Sequence, residues 1–311
     1  MLSRRSVRVK VMQLLYMLNR DEDLKFPDVL KAYNEGIWKT YQLYIFQLHV
    51  LLKVTQQAEK DASTRAAKHL PTEEDKKFKP VLYTNPCTQS LANHVGFLNL
   101  VEKFKSTIEL DDDLLRKIYQ GFIESPEYIT YSALEAPQEA DHIKVLLDLY
   151  KFLSTNDIFI ELCEERYNNM GDDESLVAGA MKKTLKSMPV SGDFYQEHAP
   201  SDETVREFGE ELLRKTCQED AALLSEITPM LQNWDAERVA ILDMIMLKMA
   251  LCELLHFPTI PTKVTLNEFV EIAKNYSTEK SKDFINGILD RMMKHLLQSG
   301  RIVKEGRGLN E

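Results

Sequence analysis

The sequence lacks the local patterns that mark most enzymes and metal proteins. It contains no Gly-x-x-x-x-Gly-Lys phosphate loop, no Gly-x-Gly-x-x-Gly turn, no His-Glu-x-x-His pair and no Gly-x-Ser-x-Gly elbow. Its seven histidines are separated from one another, and its acidic pairs stand at predicted helix starts, where carboxylates are expected for structural reasons. Because no residue stands out as a nucleophile, a ligand or a general base, we expect no enzymatic activity, no metal site and no cofactor.

Long apolar runs and closely spaced cysteines are also missing. No uninterrupted apolar stretch approaches the ~18 residues that a membrane span needs. The four cysteines are far apart, so they predict buried thiols in a reducing cytoplasm rather than a zinc site or a redox dithiol. With 44% hydrophobic and 28% charged residues among 311, the composition predicts a globular, cytoplasmic protein with a sizeable core.

Charge is distributed unevenly along the chain, whose net charge is −10. Residues 1–10 carry +4 and residues 263–311 carry +2, so the intervening residues 11–262 carry −16. The acidic total argues against nucleic-acid binding by the chain as a whole. If the two ends meet in space, however, they form a basic patch on an acidic body.

The most informative stretch contains a run of almost continuous apolar residues from 239 to 255. The three charged residues that interrupt it are Asp243, Lys248 and Glu253. A helix that is hydrophobic nearly all round must be surrounded by other helices, so we predict a central helix here. Asp235 is placed to cap its start, and Pro258 and Pro261 prevent its continuation.

Two amphipathic helices are predicted after this central helix. Thr265 with Glu268 three residues later predicts a capping box for the first of them, and Ser277 or Thr278 is placed to cap the second. The second helix contains Gly287, although a glycine in mid-helix costs roughly 1 kcal/mol relative to alanine. The missing side chain therefore indicates either close packing against a neighbouring helix or the close approach of a ligand.

The predicted first helix begins with an unusual concentration of basic side chains. Ser3 is placed to cap it, and Arg4, Arg5 and Arg8 follow without any acid. Arginines at this end oppose the helix macrodipole, which favours acids there by roughly 0.3–1 kcal/mol per charge. Free backbone NH groups together with guanidinium groups would attract phosphates, whereas the structural alternative is a solvated basic face.

Three stretches of this chain resemble the NusB family of transcription antitermination factors. The sequence from 250 to 290, ALCELLHFPTIPTKVTLNEFVEIAKNYSTEKSKDFINGILD, is similar to the C-terminal signature of that family. The opening SRRSVRVKVMQLLYML is similar to its arginine-rich first helix, and residues from about 202 to 234 resemble the helix before the signature. Roughly 180 residues separate the first stretch from the others, where members of the family are usually far shorter.

The resemblance implies an all-α fold, a NusB-like helical bundle extended by an inserted helical region at about residues 20–200. We accordingly divide the chain into residues 1–200, with the arginine-rich first helix and the inserted region, and residues 201–311, with the NusB-like core helices and the C-terminal tail. The same module also occurs fused to RNA cytosine methyltransferases, but no strand-rich, Rossmann-like half follows it here.

The family's function, carried over as an expectation, is non-enzymatic. It implies binding of boxA-like single-stranded RNA in nascent ribosomal RNA together with NusE, in a complex that joins NusA and NusG on RNA polymerase and suppresses premature termination. The RNA surface implied by the motif comprises Arg4, Arg5, Arg8, Lys280, Lys282, Phe284, Asn286 and Gly287. The resemblance also places Asp243 opposite NusE, whereas an internal hydrogen bond is the structural alternative.

The expected RNA surface is chemically coherent, because cations neutralise phosphates and an aromatic ring offers a platform to an unstacked base. Lys280 stands where the family often has an acid, and Asp283 stands where many relatives have a basic or polar residue, so the two departures act in opposite directions. The alternative function is a helical protein-interaction scaffold in ribosome assembly that does not bind RNA directly, with the acidic inserted region as its main surface.

Overall fold

The computed structural model describes residues 1–105, 110–168, 170–231 and 238–309. These residues form helices joined by short turns and contain no β-strand, which confirms the all-α prediction. In chain order the α-helices are α1 (Arg4–Arg20), α2 (Phe26–Ala66), α3 (Glu73–Lys77), α4 (Val81–Thr84), α5 (Pro86–Ala92), α6 (Val95–Lys103), α7 (Asp112–Ile123), α8 (Pro126–Ser132), α9 (Glu139–Leu153), α10 (Asp157–Glu164), α11 (Met170–Lys186), α12 (Glu211–Gln218), α13 (Asp220–Ile227), α14 (Ile241–His256), α15 (Thr262–Tyr276) and α16 (Glu279–Gln298).

Shorter helical segments of other types connect some of these helices. They are the 3-10 segments Phe194–His198, Thr228–Leu231 and Gly306–Leu309 and the π-helical segment Glu203–Glu210, which runs directly into α12. None of the described helices is both long and apolar enough to cross a membrane. Over the same residues, no group of three or more His, Cys, Asp or Glu side chains is arranged to hold a metal ion.

Backbone contacts divide the chain into two compact units. The first, which we call the core unit, consists of Leu2–Ile37 and Pro200–Glu311, and the second, the inserted unit, consists of Trp38–Ala199 together with Met1. Whereas the division drawn from the sequence kept the first helix with residues 1–200, the contacts group it with the C-terminal helices. The physical reason is that the buried stripe of α1, including Val7 and Val11, belongs to the hydrophobic cluster of the C-terminal helices.

Helix α14 is the centre of the core unit, as its apolar sequence predicts. Buried residues lie all round it, and α1, α12, α13, α15 and α16 pack against it. It begins at Ile241, after Ala240 at the N-cap position, and the predicted cap Asp235 lies outside the described residues. It ends at His256, before Pro258, in agreement with the predicted stop.

The two helices after α14 bury the apolar faces that their periodicity predicts. In α15 the buried face includes Phe269 and Ala273. In α16 the buried residues of this face are Ile285, Ile288, Leu289, Met292 and Leu296. Since these faces point towards α14, the opposite faces of α15 and α16 carry the charged residues that are available to a partner.

The inserted unit has a hydrophobic core of its own. It is built around the long helix α2, which starts in the core unit and whose buried side chains between Tyr41 and Ala58 pack with those of α4 to α11. Aromatic residues contribute to this core; Tyr44 and Phe46 are both fully buried. Of the four cysteines, none is in a disulfide, and Cys87, Cys163 and Cys252 are buried.

Candidate nucleic-acid interface

The arginine-rich first turn forms as the sequence predicts. Ser3 occupies the N-cap position of α1, where its hydroxyl accepts a hydrogen bond of 3.2 Å from the backbone NH of Ser6. The first turn contains no acid. The three arginines nevertheless lie in different environments, because a helix turns by about 100° per residue and points successive side chains in different directions.

Arg8 points into the core unit and is only 1% exposed. Its Nε and Nη2 atoms each donate a hydrogen bond of 2.7 Å to the carboxylate of Glu253 on α14, which is 0% exposed. Thr265 of α15 donates a further hydrogen bond of 2.7 Å to Glu253. Arg8 therefore has no surface to offer to RNA and instead joins α1 to α14 through a buried ion pair.

The capping box predicted at the start of α15 is wrong. The helix begins three residues earlier, at Thr262 with Pro261 at the N-cap position. Thr265 therefore lies within the helix and bonds to Glu253. Glu268 turns towards α1, where it binds the arginines of the first helix instead of a backbone NH group.

Arg5 lies at the surface of the core unit and is paired with Glu268. Its Nε and Nη2 atoms donate hydrogen bonds of 2.8 and 2.7 Å to the two carboxylate oxygens, while its side chain remains 52% exposed. The hydrogen bonds from Arg5 lower the pKa of Glu268 below its usual value, and the nearby charge of Arg8 lowers it further. Two of the five guanidinium donors point to Glu268, so the others remain available to a phosphate.

Arg4 lies on a different side of α1, against the π-helical segment. Its Nη2 atom is 3.2 Å from Oε1 of Glu203, and its guanidinium lies 5.5 Å from the centre of the Phe208 ring. The side chain is about one-third exposed. An exposed ion pair of this kind contributes roughly 0–1 kcal/mol, so Arg4 can exchange Glu203 for a phosphate at little cost.

Lys280 and Lys282, the basic residues of the expected site, lie at the start of α16. Thr278 occupies the N-cap position, as one of the two predicted alternatives, although its side chain makes no capping hydrogen bond. Lys280 and Asn286 are exposed, and Lys282 is half-buried. All three are therefore at least partly accessible to solvent.

Helix α15 contacts both ends of the chain, because Arg5 of α1 pairs with its Glu268 and α16 packs along it. The pKa of the Glu271 carboxyl lies below the usual value, mainly because Lys274 donates a hydrogen bond to it, and the charges of Arg5 and Lys282 lower it further. Arg5 of α1 and Lys282 of α16 are therefore both close enough to Glu271 to act on its charge. The basic N-terminal and C-terminal regions thus meet across α15.

Gly287 does not serve tight packing. Among the described residues, a Cβ atom added to it would meet no atom outside its own helix within 4 Å. Phe284, one turn earlier on α16, is half-buried and packs against the core at its edge. Close packing within the described part of the chain is therefore not the reason for the glycine, and the approach of a ligand stays a prediction.

Asp243 lies in the first turn of α14 and is only 5% exposed. Its carboxylate accepts a hydrogen bond of 2.6 Å from the hydroxyl of Ser277, the residue before the N-cap of α16. The Ser277 hydroxyl is also 2.9 Å from Oγ of Ser281. The structure thus has the internal hydrogen bond that was the alternative to a partner contact, and Asp243 fixes the junction between α15 and α16.

Sequence reasoning missed the acids that organise the basic surface. Glu203 binds Arg4, Glu253 binds Arg8, and Glu268 binds Arg5 and lies 3.6 Å from Arg8, while the charges of Arg5 and Lys282 act on Glu271. Only Glu253 gave a local signal, since an acid on an otherwise apolar helix needs a buried cation. The others stand at ordinary surface positions of their helices, where acids are common.

Comparison with known proteins gives consistent matches over the C-terminal part of the chain. The family model described as "NusB family" matches residues 166–294. The transcription antitermination protein NusB of Salinibacter ruber is 41% identical over 136 residues, which cover 42% of this chain and 85% of that protein. The proteins of the same name from Chloroherpeton thalassium and Methylacidiphilum infernorum are 35% and 38% identical, over 36% and 35% of this chain and 54% and 73% of their own lengths. No solved structure shows a significant match.

Proposed function

Because the chain belongs to the NusB family, we propose that it acts in transcription antitermination by binding boxA-like single-stranded RNA of nascent ribosomal RNA together with NusE. Through that complex it would act with NusA, NusG and RNA polymerase. The relatives that carry the name transcription antitermination protein NusB support the role. The observation that supports RNA binding is the pairing of Arg5 of α1 with Glu268 of α15, at 2.7 Å, on the helix against which the lysine-bearing α16 packs.

The direct RNA contacts in this proposal are the residues of the expected site that reach the surface. Arg4 and Arg5 on α1 and Lys280 and Lys282 on α16 supply positive charge for phosphates. Phe284 supplies a ring edge, Asn286 an amide that can donate and accept, and Gly287 the space for close approach. Single-stranded RNA suits this shallow surface because its bases are accessible without opening a duplex.

Two residues of the expected site act indirectly in this proposal. Arg8 holds α1 on α14 by its pair with Glu253, so it sets the position of Arg4 and Arg5. Asp243 holds the start of α16 through Ser277 and thereby positions Lys280. Asp243 would then affect NusE binding indirectly, by holding this junction in place. The affinity of the Asp243→Asn variant for NusE tests this role.

The proposal is tested by the affinity of a boxA-like RNA, with and without purified NusE. We expect binding that NusE strengthens and that weakens as the salt concentration rises, because phosphate contacts release counterions. The double charge reversal Arg4→Glu with Arg5→Glu should abolish binding. The matched control is Lys76→Glu with Lys77→Glu on α3, which changes the net charge equally in the inserted unit and should leave the affinity unchanged.

Two results would contradict the proposal. Absence of RNA binding by the unaltered chain, with or without NusE, would leave the helical scaffold as the better explanation. Equal losses in the α1 and α3 variants would mean that binding depends on overall charge rather than on the surface formed by α1 and α16.

A further inference from the structure

A pocket of about 370 Å³ lies beside Arg4 in the core unit. This volume falls within the range of roughly 300–1,000 Å³ that is usual for small-molecule sites. The side chains that matter for its chemistry are Arg4, Glu203, Glu207, Phe208, Phe257 and Thr259. The pocket thus adjoins the basic surface at α1 but has a different character, since two carboxylates and a hydroxyl line it.

The backbone that forms one wall of this pocket is unusual. Residues Glu203–Glu210 are π-helical, and π-helical turns are rare and frequent at functional sites. One hydrogen bond and one close approach fix the segment against α2. The hydroxyl of Tyr33 donates a hydrogen bond of 2.8 Å to the carbonyl of Val205, and a Cβ atom on Gly209 would lie only 2.0 Å from that hydroxyl. Glycine at 209 therefore allows the segment to approach α2 closely.

The rings of the pocket form a fixed apolar wall. Phe208 and Phe257 are both buried and contact each other edge to face, with ring centres 5.4 Å apart. Arg4 lies over the Phe208 ring, so its planar guanidinium borders the cavity. An apolar wall next to a guanidinium plane is an environment that unstacked nucleic-acid bases occupy in single-stranded RNA recognition.

The polar groups of the pocket are mostly hydrogen-bond acceptors. Glu203 is paired with Arg4, whereas among the described residues none forms an ion pair or hydrogen bond with the carboxylate of Glu207. Thr259, on the opposite side, is exposed and carries a hydroxyl. An ionised carboxylate can only accept hydrogen bonds, so a group bound next to Glu207 must donate one.

We propose that this pocket receives one unstacked base of the bound RNA and that Glu207 selects a base with an exocyclic amino group. The proposal rests on the RNA binding proposed above and specifies what the Arg4 side of that surface recognises. Cytosine presents an amino donor at the position where uracil presents a carbonyl acceptor. The cytosine amino group can donate to Glu207, whereas the uracil carbonyl would face the carboxylate acceptor to acceptor.

The experiment compares the dissociation constants of two single-stranded 12-mers, oligo(rC) and oligo(rU), for the full chain at one salt concentration. We expect oligo(rC) to bind about tenfold more tightly, because a hydrogen bond to a charged group is stronger than one between neutral groups. Glu207→Gln should remove this preference, because an amide both donates and accepts.

The matched control is Asp202→Asn, which removes the same charge at the residue before the π-helical segment and outside the pocket. This variant should keep the preference for oligo(rC). If the unaltered chain binds both oligonucleotides equally, or if Glu207→Gln keeps the unaltered ratio, the base pocket is refuted while the RNA-binding function stands. If the unaltered chain binds neither oligonucleotide nor boxA-like RNA, the proposed function itself fails, and the pocket with it.

Discussion

The guanidinium of Arg8 donates two hydrogen bonds of 2.7 Å to the carboxylate of Glu253, in the interior of the core unit and 245 positions away along the chain. The side chains are 2% and 0% exposed, and Thr265 donates to the same carboxylate. The face of the Arg8 guanidinium lies 4.9 Å from the centre of the Phe208 ring. One buried ion pair thus connects α1, α14, α15 and the π-helical segment.

Removing one member of this pair should strongly destabilise the core unit. We expect Arg8→Ala to lower the free energy of unfolding by about 3–5 kcal/mol, because it leaves the Glu253 carboxylate buried without a counter-charge. Replacing both residues, Arg8→Met with Glu253→Leu, should recover most of the loss, since no isolated charge then remains. The measurement is hydrogen exchange of the α14 amides in denaturant, resolved by mass spectrometry.

The control for this pair is Arg206→Ala, whose side chain is 73% exposed and 3.6 Å from Asp202. It should change the stability by no more than about 0.5 kcal/mol. A loss of similar size in the Arg8 and Arg206 single variants would show that the buried pair has no special weight.

The open space beside Gly287 predicts opposite effects of one substitution on stability and on RNA binding. Gly287→Ala should stabilise the core unit by about 0.5–1 kcal/mol, because alanine favours the helix and its methyl group meets no atom of the described residues within 4 Å outside the helix itself. The same methyl group should weaken boxA-like RNA binding if a strand approaches the backbone there. Thermal unfolding and fluorescence anisotropy measure the two effects separately.

Gly179→Ala on α11 is the matched control for this substitution, because a Cβ atom there also meets nothing within 4 Å but lies in the inserted unit. It should raise stability in the same way and leave RNA affinity unchanged. Unchanged RNA affinity in the Gly287→Ala variant would remove Gly287 from the proposed contact surface.

The acid between the two basic ends should limit RNA affinity. Glu271 is close to Arg5 and Lys282, so its charge repels a phosphate that approaches them. We expect Glu271→Gln to strengthen RNA binding several-fold at low salt and to do so less as salt screens the charges. Asp290→Asn, a similar change further along α16 where Asp290 pairs with Lys294, should have a smaller effect. Weaker binding after Glu271→Gln would mean that the carboxylate takes part in recognition.

His49 of α2 should make the stability of the inserted unit depend on pH. Among the described residues neither ring nitrogen has a hydrogen-bond partner, and burial lowers the pKa from 6.5 to about 4, with smaller contributions from the charges of Lys53 and Arg166. Below pH 6.5 the unfolded chain binds a proton that the folded chain does not. Stability should therefore fall as the pH is lowered from 6.5 to 4, by up to about 3 kcal/mol.

Urea unfolding followed by the fluorescence of Trp38, in a Trp234→Phe background, measures this dependence at each pH. His49→Leu should reduce it without removing it, because burial also lowers the pKa of His142 and of His198 in the same unit. His69→Gln, at an exposed position, should leave it unchanged. A dependence that persists in full after His49→Leu would have to come from other groups of the inserted unit.

The sequence alone determined the elements of the core unit and the family to which the chain belongs. The apolar run of α14, the stripes of α15 and α16 and the cap at Ser3 are local patterns, and helices formed at or close to each of them. Local periodicity is sufficient for such predictions because helical hydrogen bonds connect residues four apart. Short helices were harder to foresee; α3 and α4 lie in a stretch rich in proline and charge.

Only the tertiary structure decided which of the expected site residues reach the surface. Arg5 and Arg8 have the same chemistry and stand three positions apart, yet one is half exposed and the other is buried against Glu253. Likewise, Asp243 was expected to face a partner and is bonded to Ser277, while Gly287 borders open space. These outcomes depend on pairs of residues that are distant in the chain, and neither composition nor helical spacing contains the information that brings them together.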